Sequence, residues 1–335
     1  MSAAPAAPGH VPVLLKEAME ALDPRTGGLY VDATFGAGGY TRALLDRGAR
    51  VIALDRDPLA IRIGEELKAS SGGRLRLVEA RFGELDKVVK RLDVEAVNGV
   101  VLDIGVSSMQ LDEAARGFSL RFDAPLDMRM GGAGRSAAEI LRDEDEGTIA
   151  DILFHYGEER ASRRIARAIV ADRETKPFTS TLELAGMIAR VAPARRGELT
   201  HPATRAFQAL RIAVNDELGE LARGLSAAEQ LLMPGGRLVV VTFHSLEDRI
   251  VKQFFASRSG RGRAASRRLP GEPVEANPTF EVLRGQPIEA SEAEISVNPR
   301  SRSAKLRFGA RLSAPSRGRD EAIEALARLP ARRGR

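Results

Sequence analysis

Short apolar runs, each closed by a carboxylate or a glycine, alternate along the first third of the chain with stretches whose apolar residues recur every three or four positions. The runs over 29–35, 50–55, 74–79 and 98–103 predict strands, and the periodic stretches over 39–47, 58–69 and 84–92 predict helices. A further short helix is expected over 16–22. Asn98-Gly-Val-Val-Leu-Asp103 is nearly continuous in its apolar character, as suits a strand covered on both faces. Strand–helix alternation of this kind predicts a parallel sheet with right-handed crossovers.

The next convincing strand covers 236–243. Between Gly105 and Arg237 lie 131 residues, whereas a crossover needs only about a dozen, so something is inserted. Its pattern is helical over 137–141, 148–156, 160–171, 182–189 and 202–225. In the last of these Phe207, Leu210, Val214, Leu218, Leu221 and Leu225 share one face, which predicts a single long helix returning to the sheet. Beyond the strand, Ser245 and Asp248 have capping-box spacing. A closing strand is expected over 303–312 and a short helix over 319–329.

Charge changes the picture of the last quarter. The chain carries a formal +5, but residues 257–335 hold 17 Lys/Arg against 9 Asp/Glu while the preceding 256 residues are slightly acidic. Residues 257–271 contain Arg258, Arg261, Arg263, Arg267 and Arg268 with no acid, and read as a flexible basic loop. In the insertion Arg160, Arg163, Arg164, Arg167 and Arg173 surround the apolar face of Ile165, Ala168 and Ile169. Such a face either binds phosphates or is simply solvated. A cationic surface points to a polyanion partner. Cysteine is absent, which excludes disulfides, thiolate metal sites and a cysteine nucleophile. The histidines, His10, His155, His201 and His244, are too scattered for a metal cluster, and no metal is expected. No apolar run reaches the length of a membrane span. The Ala/Pro-rich residues 1–9 read as a disordered leader of a cytoplasmic protein.

Candidate chemistry gathers where strands end. Gly28-Leu-Tyr-Val-Asp-Ala-Thr-Phe-Gly-Ala-Gly-Gly39 is strand, glycine turn and helix start. Glycines there allow positive φ and close approach of a ligand to the backbone, and the helix start offers N–H groups. The spacing departs from the dinucleotide pattern because Thr41 stands at the last glycine position. Asp55, at the end of the next strand, suits ribose hydroxyls. Together these features favour a nucleoside cofactor without a pyrophosphate, such as S-adenosylmethionine. Asp103-Ile-Gly-Val-Ser-Ser108 places a carboxylate at a third strand end. If the methyl acceptor is an exocyclic amine, Asp103 either takes its proton during attack, or serves only to bind the cofactor or cap the loop. Methylation at cytosine carbon normally requires a cysteine thiolate, so nitrogen or oxygen acceptors remain.

Long blocks carry a resemblance to a known family. His10-Val-Pro-Val-Leu-Leu, Asp32-Ala-Thr-Phe-Gly-Ala-Gly-Gly, Asp103-Ile-Gly-Val-Ser-Ser-Met-Gln-Leu-Asp112, Arg116-Gly-Phe-Ser119 and Asp123-Ala-Pro-Leu-Asp-Met-Arg-Met130 are similar to blocks of the RsmH (MraW) ribosomal RNA methyltransferases. So are His201-Pro-Ala-Thr-Arg-Ala-Phe-Gln-Ala-Leu-Arg-Ile212, Phe243-His-Ser-Leu-Glu-Asp-Arg249 and Asn298-Pro-Arg-Ser-Arg-Ser-Ala-Lys-Leu-Arg307. The match spans roughly residues 10–310 in the family's order.

The resemblance implies an α/β class I S-adenosylmethionine-dependent methyltransferase fold, Rossmann-like with a mostly parallel sheet and an inserted all-helical domain. The expected division is a methyltransferase domain over 10–109 and 213–312, a helical substrate-recognition domain over 110–212, and a basic tail over 313–335. It implies methyl transfer to N4 of a cytidine in the decoding region of 16S ribosomal RNA, with the small subunit or its RNA as partner. Carried over by position, the cofactor contacts are Gly38, Gly39, Tyr40, Asp55, Phe82, Asp103 and Gln110. Asp103 is the catalytic candidate, and Arg205, His244 and Ser245 are candidates for holding substrate. Tyr40 stands where the family usually has His, and Met109 where Pro is usual.

Overall fold

Among the described residues, eight strands form one sheet: β1 (Leu29–Asp32), β2 (Arg50–Asp55), β3 (Leu75–Glu79), β4 (Val97–Asp103), β5 (Leu232–Thr242), β6 (Phe280–Glu281), β7 (Ile288–Glu289) and β8 (Lys305–Arg311). The computed structural model describes residues 12–194, 200–260, 277–282 and 285–331. The expected leader over 1–9, residues 261–271 of the expected basic loop, and the last four residues of the expected tail lie outside the described residues.

The strand order is β3-β2-β1-β4-β5-β8-β6, with β7 also pairing β8. Strands β1 to β5 are parallel, and β8 runs antiparallel to β5 and β6. The order leaves β1 in one direction through β2 and β3, and in the other through β4 and β5. That reversal opens a crevice beyond the carboxyl ends of β1 and β4, where ligands of open α/β sheets bind. The central strands earn their place by composition. Val100, Val101, Leu102, Val239, Val240 and Val241 are fully buried, the unbroken apolar pattern of strands covered on both faces. Gly99 is required by close packing: a Cβ there would lie 2.7 Å from Leu22 Cδ2 and 2.8 Å from Tyr30 Cδ1.

Contacts divide the chain into two units. One comprises the described residues up to Gly105 together with Leu218–Ala327; the other comprises Val106–Glu217 and the residues from Arg328. The second unit is helical, with helices at Ala137–Asp143, Glu146–Gly157, Ser162–Arg173, Thr181–Val191 and Thr204–Asn215. They enclose their own core, including Leu126, Met128, Ile149, Leu153, Ile165, Leu184 and Leu210. Buried Asn215 stitches the irregular stretch before the first of these helices to the last. Its Oδ1 accepts from Met130 N at 2.9 Å and its Nδ2 donates to Met128 O at 2.7 Å.

Three expectations are corrected. The helix expected over 202–225 is two helices, Thr204–Asn215 and Glu217–Leu231, because Asp216 adopts φ 50° and ends the first. Its shared apolar face was real on each side of the break, and a bidentate Arg211–Glu217 pair at 2.8 Å spans it. The capping box is not Ser245 with Asp248. Helix Ser245–Arg258 starts one residue earlier than that reading, so His244 is the cap and Glu247 its partner; Asp248 instead grips Arg307 of β8 at 2.7 and 3.2 Å. Arg258 belongs to this helix rather than to a basic loop. It is 2% exposed, with Nε 2.9 Å from Glu229 Oε2 and Nη1 2.7 Å from Asp320 Oδ2. Its Nη2 donates to Gly318 O at 3.0 Å. The last part of the chain is thereby fastened onto the sheet unit by one buried guanidinium.

Removing one partner of a buried ion pair strands the other charge. Arg258→Ala is expected to lower the unfolding free energy by about 3–5 kcal/mol, because the fully buried Glu229 side chain loses the guanidinium that partners it. Equilibrium denaturation measures this, and a loss below about 1 kcal/mol, the scale of an exposed pair, would contradict it.

Candidate functional site

Carboxylates close the first four parallel strands: Asp32 ends β1, Asp55 ends β2, Glu79 ends β3 and Asp103 ends β4. Asp32 and Asp103 therefore flank the point where strand order reverses. The segment after β1 turns at once rather than extending the strand to 35, and the turn is built on Asp32. Its Oδ1 accepts from Thr34 N at 3.2 Å, an Asx-type turn, and its Oδ2 accepts from the Thr41 hydroxyl at 2.7 Å. Thr34 in turn uses its Oγ1 to accept from Asp103 N at 2.7 Å. Asp32 is completely buried. Burial, partly offset by the Thr41 and Thr34 hydrogen bonds and aided by the Asp55 charge, pushes its carboxyl up to about 6.

The glycines of the turn have separate causes. Gly38 has φ +79°, and Gly36 has φ +53°. A Cβ on Gly38 would also lie 2.9 Å from Phe35 Cζ. Gly39 is demanded by a neighbour within the protein, since its Cβ would sit 2.1 Å from Pro12 Cγ. Helix Gly39–Asp46 starts from Gly38 without a side-chain cap, so its first-turn amides face the turn. The Tyr40 hydroxyl donates to Val13 O, and its ring is buried. Its side chain is thus spent on the fold, which leaves the backbone for a ligand. Asp55 holds the turn from the other side: Oδ2 accepts from Gly36 N at 2.8 Å and Oδ1 from Asp57 N at 2.8 Å. Burial raises its carboxyl above the ordinary range against the pull of these bonds. Phe82 starts a short 3-10 turn and packs against helix Glu217–Leu231, where a Cβ on Gly224 would come 2.7 Å from its ring.

Asp103 is different. Its Oδ1 is shut off from solvent and has no hydrogen-bond partner among the described residues. Burial, then the charges of Asp32 and Glu247, raise its carboxyl well above the usual range. Alongside it, β5 pairs Val241 with Asp103 and hands over to Phe243 and His244. Glu247, fully buried, accepts at Oε2 from Phe243 N (2.8 Å) and His244 N (3.2 Å). Its Oε1 lies 2.9 Å from His244 Nε2. Ser245 is exposed at the first position of the helix.

The structure therefore brings Gly38, Gly39, Tyr40, Asp55, Phe82, Asp103, His244 and Ser245 into one unit. Gln110 and Arg205 belong to the helical unit. Gln110 is buried in the short helix Ser108–Asp112, where its Oε1 accepts from Ser107 N at 3.1 Å. Arg205 is exposed on helix Thr204–Asn215. Asp32, Thr34, Thr41 and Glu247 complete the hydrogen-bonded frame and were not among the expected site residues. The signal for Asp32 and Thr34 was the Asp-x-Thr spacing at the turn; Thr41 had no such signal, and Glu247 had the His-x-x-Glu spacing of a cap.

A carboxyl whose folded-state value is raised is favoured by folding while protonated. Its contribution is intact below the unfolded value near 4, and declines as pH rises through about 6. Relative to Asp32→Asn, the native chain should lose up to about 3 kcal/mol of stability between pH 4 and pH 7. Paired denaturation curves across that range measure it. A constant difference would mean that Asp32 titrates as an ordinary carboxylate.

Comparison with known proteins gives the family. The model described as the MraW methylase family matches residues 7–312. The protein of Methylocella silvestris named ribosomal RNA small subunit methyltransferase H is 64% identical over 324 residues, covering 96% of this chain and 93% of that one. Proteins of the same name from Methylorubrum extorquens (61%, covering 97% and 93%) and Methylobacterium sp. strain 4-46 (59%, covering 99% and 98%) are similar throughout. With the parallel sheet, its antiparallel edge and the glycine turn after β1, the chain is a Rossmann-like class I methyltransferase, and it belongs to the MraW methylase family.

Proposed function

We propose that this protein transfers a methyl group from S-adenosylmethionine to N4 of a cytidine in the decoding region of 16S ribosomal RNA. The observation that carries the reading is the buried, unpartnered Oδ1 of Asp103 beside a second buried carboxylate, Asp32, at the reversal of strand order. Buried carboxylates are costly unless paired, and a cationic ligand supplies the missing partner. S-adenosylmethionine fits: it carries a sulfonium and an ammonium, has ribose hydroxyls for a carboxylate, and has no pyrophosphate.

Gly38, Gly39 and the backbone of Tyr40 are assigned to the cofactor, with Asp55 for the ribose and Phe82 for the adenine. Asp103 serves both the cofactor and the chemistry. Gln110 is assigned to the cofactor and Arg205, His244 and Ser245 to the RNA. When bound, S-adenosylmethionine supplies a methyl carbon activated by attachment to positive sulfur. The protein's work is to orient the acceptor and move one proton. The N4 amine of cytosine is a poor nucleophile because its lone pair is delocalised into the ring. Asp103, placed by the Thr34 bond to its own backbone, takes the proton that the amine sheds as the nitrogen–carbon bond forms and the carbon–sulfur bond breaks, the sulfur leaving as the neutral thioether of S-adenosylhomocysteine. His244, fixed by Glu247, presents its ring from the neighbouring strand end. The absence of cysteine fits nitrogen rather than carbon as acceptor, and the relatives' names support ribosomal RNA as substrate.

The test uses labelled cofactor, immature small subunits and digestion of the RNA to nucleosides. Label is expected on N4 of cytidine with the native protein. With Asp103→Asn the rate should fall by about 10²-fold or more, the range for losing a proton acceptor. Label on ribose, on carbon 5, or nowhere would overturn the reading.

A further inference from the structure

Helix Ser162–Arg173 breaks two local rules on one face. Arg163 and Arg164 occupy its first turn, where the helix dipole disfavours cations. The helix also starts at Ala161 without a side-chain cap. Its buried side is Ser162, Ile165, Ala166 and Ile169. At 100° per residue, Arg163, Arg164 and Arg167 fall on the opposite meridian, with Arg160 in the turn just before. All four are exposed. Four other arginines of this unit are engaged: Arg135 with Glu144 at 2.6 Å, Arg142 with Asp143 at 2.6 Å, Arg190 with Asp172 at 2.9 Å, and Arg173 with Leu141 O and Glu144 O at 2.7 Å. In the stripe only Arg167 has a carboxylate within 4.0 Å among the described residues, Glu146 at 3.7 Å, and its side chain is 77% exposed; Glu159, just before the helix, gives its Oε1 to Ala161 N at 2.7 Å. A pair that open holds little charge back from a stronger ligand.

We infer that this arginine stripe is a seat for the phosphate backbone of the RNA substrate. The inference rests on the ribosomal RNA reading above. Cations concentrated at the positive end of an uncapped helix cost stability, which a sequence tolerates where function repays it. The stripe is wholly arginine, the side chain that meets phosphate with a planar fork of donors. From Arg160 to Arg167 it extends roughly 10 Å, enough for a short run of phosphates. An apolar or zwitterionic partner would gain nothing from it.

The test compares the native protein with Arg163→Gln/Arg164→Gln/Arg167→Gln and with a control, Arg135→Gln/Arg142→Gln/Arg190→Gln, which removes the same formal charge from engaged positions. Binding to naked 16S ribosomal RNA is measured across a salt series. Losing three phosphate contacts should make the slope of log affinity against log salt shallower by about 2, at about 0.7 per contact on single strands. The stripe variant should raise KM for methyl transfer about tenfold with kcat and cofactor affinity retained, and its melting temperature should be equal or higher. The control should keep the native slope. An unchanged slope in the stripe variant, or an equal fall in the control, overturns the inference. So does a loss of affinity confined to assembled subunits, which would make the occupant a protein. If the slope falls but the native protein methylates no ribosomal RNA, the stripe stands as a nucleic-acid seat and the ribosomal RNA reading fails.

Discussion

A fully buried carboxylate, Asp32, and a half-buried one with an oxygen shut off from solvent, Asp103, are the constraint around which the sheet unit is arranged. Asp32 and Asp103 close β1 and β4, on either side of the reversal in strand order. Burial of like charges in one place is unfavourable, and it raises both carboxyls above the ordinary range. The surrounding chain gives Asp32 its two threonine bonds and leaves Asp103 Oδ1 without one. Asp32 is engaged in shaping the turn, while Asp103, placed by the Thr34 bond to its backbone, has an oxygen with no hydrogen-bond partner among the described residues.

The rest of the unit keeps those groups still. Asp55 ties down Gly36 from β2, and Pro12 presses on Gly39. Glu247 ties Phe243 and His244 together at the end of β5. Further out, Arg258 gathers Glu229, Asp320 and Gly318 into a buried node that fastens the last helix, Glu321–Ala327, to the same unit. Side chains near a reaction must hold their positions to within fractions of an ångström, and each of these bonds removes a way for the strand ends to shift.

Much of this was legible in the sequence because its signals are local. Runs such as Val100-Val101-Leu102 can only be buried strands, and glycines after Asp32 can only be a turn, so the parallel sheet and the place of the crevice followed. Helix ends were less legible. Phe207 to Leu225 keeps one apolar face across a break that only Asp216, in a left-handed conformation, reveals. Helix Ser245–Arg258 has two overlapping capping patterns, and spacing alone does not choose between Ser245/Asp248 and His244/Glu247; the Asp248–Arg307 pair across to β8 does. Arg258 looked like the start of a basic loop because its partners, Glu229 and Asp320, are distant in sequence. Buried polar frameworks are in general the least local feature of a fold, and the roles of Thr34, Thr41 and Glu247 belong to that class.

If Asp103 Oδ1 waits for a cation, its arrival must lower the carboxyl's affinity for protons. The direct measurement is calorimetry of S-adenosylmethionine binding near pH 6 in buffers of different ionisation enthalpy, which counts protons exchanged on binding. Release of protons is the expected result, smaller with S-adenosylhomocysteine, which lacks the sulfonium charge. Binding with no proton release, or equal release for both compounds, would contradict the central role given to Asp103.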